Sequence, residues 1–366
     1  MAITLLSLLI WLYLFFAHGK FWASAPQLPV AVPAQFPDVD IVVPARDEAA
    51  TIGLVIASLL AQDYAGKFRV VLVDDNSTDG TVPAAGTSPD LRVISLTTKP
   101  PEWSGKLWAL SHGVRAGDAP LVLLTDADIV HDPKHLSSLV AKLLESRLDM
   151  VSEMVRLNCT SLAERALVPA FVYFFQMLYP FAKVNDPRSN AAAAAGGTVL
   201  IRRDALVRIG GIEAIKNSLI DDVALAKTVK KSGRIFLGHS MLAVSIRPYP
   251  YFRDIWDMIS RTAFTQLRHS AMLLAFTLIG LALVWLVPTW GILFGHGAPF
   301  AFGLVTFALA SASYQPTLAR YRRNRLWALA LPLIALFYMA ATIGSAWQYW
   351  RGRGAQWKNR AYGTER

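Results

Sequence analysis

Cysteine is almost absent: Cys159 stands alone in 366 residues. One thiol excludes a disulfide framework and any cysteine-built zinc or iron–sulfur site. Charge is also scarce, at 17% of residues against about 25% in a typical soluble domain. Acidic residues nearly vanish from the last quarter. Residues 271–366 hold nine Lys/Arg and one acid, Glu365, whereas residues 1–270 hold 27 and 25. The formal charge of +10 therefore sits mostly in two clusters, Arg320–Arg325 and Arg351–Arg366, that flank apolar runs. A chain nearly neutral over its first 270 residues lacks the broad basic field of a duplex binder, so nucleic acid is not expected as a partner. No GxGxxG follows the first candidate strand and no GxxxxGK[ST] occurs, which argues against dinucleotide and P-loop sites.

What is plentiful is apolar surface. Apolar residues make up 54%, against roughly 45–50% in soluble domains. This excludes a disordered chain and argues against a wholly soluble one. From His269 to Ala319 there is no Asp, Glu, Lys or Arg. A membrane span needs about 20 residues, so two are expected, near 271–293 and 299–318, with the turn at Gly291, Gly295, Gly297 and Pro299. A third fits 326–350. Residues 1–17 are apolar and uncharged as well. Ala23-Ser24-Ala25 resembles a signal-peptidase site, but no Lys or Arg precedes the run and Lys20 follows it. That bias favours an anchor over residues 1–22, with the domain after it in the cytoplasm. One early and three late spans place the Arg320–Arg325 cluster inside and the basic tail, 351–366, outside. The two clusters flank one span and cannot both obey the positive-inside tendency.

Between 38 and 160 short apolar runs alternate with helical patterns. Strands are expected at Asp40–Val43, Arg69–Val73, Leu91–Leu96 and Pro120–Thr125. Helices are expected at Glu48–Ala61, Lys106–Arg115 and His135–Ser146. This rhythm predicts an α/β fold with a mostly parallel sheet and helices on both faces. Acids follow three of the strands: Asp47 and Glu48, then Asp74 and Asp75, then Asp126 and Asp128. Ligands of open α/β sheets bind beyond the carboxyl ends of the strands, so these acids converge on one edge. Clustered carboxylates need a cation or hydrogen-bond donors. Asp126 and Asp128, two apart past a strand, can share one hard divalent ion, Mg2+ or Mn2+, which neutralises a diphosphate.

The stretches Val42-Val43-Pro44-Ala45-Arg46-Asp47-Glu48, Val73-Asp74-Asp75-Asn76-Ser77-Thr78-Asp79-Gly80-Thr81, Gly105-Lys106-Leu107-Trp108-Ala109-Leu110 and Thr125-Asp126-Ala127-Asp128 together resemble glycosyltransferase family 2, with its Rossmann-like GT-A fold, over about residues 38–250. The flanking membrane segments resemble the hopene-associated subfamily, and the chain is also similar to ceramide-glucosyltransferase-like enzymes. The resemblance implies a nucleotide-sugar site at Pro44, Ala45, Glu48, Asp75, Lys106, Asp126, Asp128 and Arg268. Glu48 and Asp75 would hold the uracil and ribose of a UDP-sugar, Lys106 the nucleotide or its phosphates, and Asp126 and Asp128 the metal. Two family motifs are altered. Glu-Asp at the catalytic base becomes Asp221-Asp222, with Asp222 aligned with the base. Gln-x-x-Arg-Trp becomes Gln266-Leu267-Arg268-His269, with Arg268 placed to stabilise the leaving diphosphate. Asp221, Gln266 and His269 fall on the acceptor side, where His269 would stack more weakly than an indole.

Residues 166–182 are apolar but short, and read as an interfacial helix with Tyr173 and Tyr179 at headgroup depth. Residues 249–270 form a second interfacial segment ahead of the transmembrane region 271–350. The expectation is thus an inverting, metal-dependent glycosyltransferase, multi-pass in a bacterial inner membrane with its catalytic domain cytoplasmic. It moves sugar from a nucleotide donor, UDP-linked, to a membrane lipid; a hopanoid acceptor rests on the resemblance alone. The alternatives are a processive polysaccharide synthase, an inactive nucleotide-sugar-binding scaffold, and a sugar nucleotidyltransferase. The sugar and the oligomeric state are not legible.

Overall fold

Consecutive β-branched and aliphatic residues, with no alternation, signal strands covered on both faces. That is what β1 (Val39–Ala45) forms, buried at every position. The structure is a computed structural model describing residues 1–352 and two short strands, Gln356–Trp357 and Arg360–Ala361. Beyond Gly352 the side chains of the expected basic tail lie outside the described residues. The other strands of the main sheet are β2 (Phe68–Asp75), β3 (Leu91–Leu96), β4 (Leu121–Thr125), β5 (Ile129–His131), β6 (Met150–Arg156), β7 (Thr198–Arg202) and β8 (Ile235–Ser245). They pair in the order β3-β2-β1-β4-β7-β6-β8-β5.

The expectation of a mostly parallel sheet is corrected to a mixed one. Pairs β2–β3, β1–β2, β1–β4 and β6–β8 are parallel, whereas β4–β7, β6–β7 and β5–β8 are antiparallel. Four parallel neighbours still place the carboxyl ends of β1, β2 and β4 at one edge. β7 runs the other way, with Thr198 opposite Thr125, so the turn that enters β7 joins the same edge. Helices Ile52–Leu60, Gly105–Arg115 and His135–Glu145 cover the sheet. The first is shorter than expected, because residues 48–51 turn before the helix begins.

Asp40 pins the opposite end of β1. Its buried carboxylate accepts from Arg69 Nε at 2.8 Å, Arg203 Nη2 at 2.6 Å and the Ala119 N–H at 3.0 Å. Asp40→Ala leaves these donors without their acceptor. Because both arginines are partly exposed, the expected loss is near the low end for a broken buried pair, about 3 kcal/mol. It is read as a lower denaturant midpoint in detergent.

The chain divides into two units. Ala25–Asn158, Lys183–Pro248 and the segment from Gln356 build the α/β unit; Met1–Ser24, Cys159–Ala182 and residues 249–355 build a helical one. In the helical unit, two helices are long and apolar enough to cross a membrane, Ala271–Phe294 and Arg325–Trp350. Of the four expected spans, two are matched by these helices. The N-terminal apolar helix, Ala2–Ala17, is short. Ala298–Arg320 is long enough at 23 residues but turns polar in its second half and buries Thr306, Ser313, Tyr314 and Thr317. The segment expected at the interface is the helix Leu162–Leu178. Its Tyr173 is fully buried, with its hydroxyl 2.6 Å from Ser313 Oγ.

A local irregularity in this unit has a sequence cause. Pro288 has no N–H, so the Val284 carbonyl four residues earlier loses its helical donor. Residues 282–286 widen into a π turn. Trp11 Nε1 donates to the freed Val284 oxygen at 2.8 Å, and Ser7 Oγ to Leu283 oxygen at 2.6 Å. Beyond the turn, Gly291 and Gly303 face each other. A Cβ on Gly303 would lie 2.7 Å from the Pro288 oxygen, so only glycine lets these backbones approach.

Candidate active site

Each acidic strand end is held by a basic side chain, and Arg247 serves two of them. At the end of β1, Glu48 is nearly buried, and its Oε1 accepts from Arg247 Nη2 at 2.6 Å. At the end of β2, Asp75 is 1% exposed; Arg46 Nη1 donates to its backbone oxygen at 2.5 Å and lies 3.8 Å from its Oδ2. Beyond β4, Asp126 Oδ1 pairs with Lys106 Nζ at 2.9 Å, and Asp128 Oδ2 with Arg247 Nε at 2.7 Å. Pro44, at the end of β1, lines the cleft, whereas Ala45 is wholly buried beside it.

Lys106 stands in the first turn of the helix Gly105–Arg115, which Ser104 caps by accepting from the Leu107 N–H at 3.2 Å. From there it bridges Asp126 and Asp221 Oδ2, the latter at 3.1 Å. Burial opposes the ammonium's charge, but Asp126, Asp221 and Asp222 outweigh it and raise its pKa well above the usual lysine value. Lys106 therefore stays protonated. Asp126 shifts upward: burial raises it, Lys106 pulls it down, and Asp128 pushes it up again.

Asp221 and Asp222 open the helix Asp221–Lys230 and separate at once. Asp221 turns to Lys106. Asp222 Oδ1 accepts from the Val223 N–H at 2.7 Å, and the Gly196 N–H also bonds the carboxylate. Burial first, and repulsion by Asp221 second, push the Asp222 pKa up to about 7, against the pull of Lys106. Gly196 leaves room here: a Cβ would press on Asp222 Oδ2 at 3.3 Å and touch Lys106 Nζ at 3.4 Å. The cleft over these groups is walled by Leu107, Leu110, Leu124, Val199 and Leu225.

The remaining expected residues belong to the helical unit. Gln266 Nε2 donates to the Tyr179 hydroxyl at 2.5 Å. The His269 ring is already stacked on Tyr349, centroids 4.1 Å apart and planes 8° off parallel. Arg268 and His269 both take positive φ, 52° and 55°, where a side chain costs energy unless the fold demands it. Sequence reasoning missed Arg247. Its signal was a lone basic residue just past an apolar strand. Its place follows from the antiparallel pairing of β5 with β8, which sets Ile129 opposite Ser245.

Among the described residues no three His, Cys, Asp or Glu side chains cluster as an all-protein metal cage. Asp126 and Asp128 nevertheless fit a divalent ion of the kind held by one or two carboxylates plus substrate phosphates. Lys106 bonds one oxygen of Asp126 and Arg247 one oxygen of Asp128. Each carboxylate thus has a second oxygen to offer.

A mixed sheet with paired carboxylates past its fourth strand, a bridging lysine and a half-buried aspartate across the cleft is the arrangement expected of a GT-A glycosyltransferase. Residues 40–210 match the family described as Glycosyl transferase family 2. An N-acetylglucosaminyltransferase of Bradyrhizobium sp. (strain ANU 289) is 32% identical over 117 residues, 30% of this chain and 74% of that protein. The chain belongs to glycosyl transferase family 2. The dodecaprenyl-phosphate galacturonate synthase of Rhizobium johnstonii is 28% identical over 128 residues, 32% of this chain and 36% of its own length. The Bradyrhizobium elkanii N-acetylglucosaminyltransferase is covered over 60% of its length. The chain thus spans less than two thirds of these last two relatives. The mannosyltransferase PcManGT from Pyrobaculum calidifontis, solved with GDP-Man and Mn2+, shares the fold. Its TM-score is 0.59 at 22% identity, covering 95% of this chain and 99% of that one.

Proposed function

We propose that the chain is an inverting, metal-dependent glycosyltransferase that moves a sugar from a nucleoside-diphosphate donor, UDP-linked, to a membrane lipid. The observation that carries this reading is the cleft in which Lys106 joins Asp126 to Asp221 beside the half-buried Asp222. Asp222 takes the proton of the acceptor hydroxyl. The hydroxyl oxygen bonds to the anomeric carbon as the bond to the diphosphate breaks on the opposite face. Lys106 offers charge to the departing diphosphate, and Glu48 and Asp75 hold the base and ribose. Arg268 would add to the diphosphate's charge balance. Asp126 and Asp128 would hold Mg2+ or Mn2+, which when bound offsets the diphosphate charge. With no covalent intermediate, a single base suffices.

Arg247 serves the donor by keeping Glu48 and Asp128 in one arrangement. Arg247→Gln is expected to raise the donor KM about tenfold or more, the scale of a lost charge-assisted hydrogen-bond pair. An unchanged donor KM would remove Arg247 from the site.

Among acceptors, a polyprenyl phosphate has the support of the Rhizobium johnstonii relative, and a hopanoid that of the segment arrangement alone. The membrane setting is proposed from the two long apolar helices, with the α/β unit on the cytoplasmic side of a bacterial inner membrane. The deciding experiment is a screen of UDP- and GDP-linked sugars with membrane extract, followed by mass spectrometry of the lipid product. A single added sugar supports the reading, a ladder of products indicates a processive synthase, and nucleotide binding without any transfer overturns it in favour of a scaffold.

A further inference from the structure

Four side chains form a buried file beneath the candidate site, and nothing above uses them. Thr125 ends β4, directly before Asp126. Its Oγ1 lies 2.9 Å from the Gly197 carbonyl and 3.0 Å from His131 Nε2. His131 Nδ1 lies 2.8 Å from His135 Nδ1, and His135 Nε2 lies 2.6 Å from Glu153 Oε2. Thr125, His131, His135 and Glu153 are all at most 3% exposed. Polar groups this deep are costly unless hydrogen-bonded; the file satisfies all but Glu153 Oε1, which has no hydrogen-bond partner among the described residues.

Proton counting gives the file a direction. A hydroxyl carries one proton and a carbonyl only accepts. With the Thr125 proton on the Gly197 oxygen, His131 Nε2 must donate to Thr125. Burial first and His135 second hold the His131 pKa well below its usual value, so this ring is neutral and its Nδ1 is a lone pair. His135 Nδ1 must then donate to it. One further proton lies between His135 Nε2 and Glu153, and the pair is neutral overall whichever atom holds it. Deprive His135 Nε2 of its partner, and a buried ring nitrogen is left unsatisfied, a cost the file can shed only by shifting His135, and with it His131 and Thr125.

The Thr125 end of the file reaches the site on two sides. Thr125 precedes the Asp126–Asp128 turn. Gly197 follows Gly196, whose N–H bonds Asp222. The same turn is clamped from β6 by Ser152, whose Oγ accepts from the Ala195 N–H at 2.8 Å and donates to the Ala195 oxygen at 3.1 Å. We propose that His131, His135 and Glu153 are positioning residues of the transfer reaction, fixing through Thr125 the Asp126–Asp128 turn against the Gly196–Gly197 turn that holds Asp222. This inference rests on the transferase reading above.

The test uses the full-length protein in detergent with its best donor. Thr125→Val keeps the shape of the side chain but makes neither bond, whereas Thr125→Ser keeps both. Glu153→Leu breaks the file, whereas Glu153→Gln can still donate an amide proton to His135 Nε2. Misplacement near the reacting atoms by about 1 Å costs on the order of 10²-fold. Thr125→Val and Glu153→Leu should therefore lower kcat about that much, with a smaller change in donor KM, while Thr125→Ser and Glu153→Gln recover most of it. Binding of UDP, measured separately, shows that each variant is folded. A Thr125→Val enzyme that binds UDP and turns over at the wild-type rate overturns the inference alone. An equal loss in Thr125→Ser and Thr125→Val also overturns it. A wild-type protein that transfers nothing overturns the transferase reading itself.

Discussion

Asp222→Asn should lower kcat by about 10²–10⁴-fold, the usual cost of losing a general base, with little change in donor affinity. The amide keeps the size and the bonds to the Val223 and Gly196 N–H groups but cannot take a proton. A base acts in the transition state, so the loss appears in kcat and kcat/KM alike. The pH profile gives an independent readout. The wild-type carboxyl titrates at about 7, and only its ionised form accepts the proton. Activity should therefore fall as pH drops through that value, and Asp222→Asn should lose this acid limb. Because Asp221 repels the Asp222 charge, Asp221→Asn should move the limb to lower pH and cost less in turnover at high pH. If Asp221→Asn proves the more damaging at unchanged donor binding, the base has been assigned to the wrong aspartate.

The sequence alone could not have separated these two aspartates physically. Adjacent positions at a helix start differ by about 100° in direction, but which one meets the lysine depends on where the Gly105–Arg115 helix lies. Lys106 and Asp221 are 115 positions apart, and their pairing is a property of the folded sheet. By contrast, β1 to β4 were readable because each is an apolar run ended by charge or a turn. Val39–Ala45 and Leu121–Thr125 are buried throughout, and buried parallel strands show no alternation that could mislead.

The second half of the sheet was not readable on those terms. β5 has three residues, too few for any periodic pattern. β6 carries Glu153, fully buried, which reads as solvent-facing until His135 is placed beside it. The antiparallel entry of β7 follows a long excursion through Leu162–Leu178, a helix that belongs to the other unit. Arg247 shares the fate of β8: its partners Glu48 and Asp128 lie 199 and 119 positions away. In the helical unit, chain length and absence of charge marked Ala271–Phe294 and Arg325–Trp350. Ala298–Arg320 is less uniform, with Ser313 and Tyr314 facing inward to polar and aromatic partners.

Chelation should abolish most of the transfer activity. Asp126 and Asp128 lie two residues apart past β4, and burial together with Asp128 shifts Asp126 upward despite Lys106. The pair is therefore short of positive charge even with Lys106 and Arg247 in place. A divalent ion answers that deficit, and charge stabilisation of several kcal/mol corresponds to roughly 10³-fold in rate. Treatment with EDTA should produce a loss of that order, restored by Mn2+ or Mg2+ in excess. Asp128→Asn should reproduce the loss without restoration at the same metal concentration. It keeps a hydrogen-bond acceptor for Arg247, so a collapse of the Glu48–Arg247 arrangement would not explain the result. Asp126→Asn should behave likewise while freeing Lys106 toward Asp221. Enzyme that keeps full activity after exhaustive chelation would show that Lys106 and Arg247 supply the whole counter-charge, and that the carboxylate pair serves to hold those two cations.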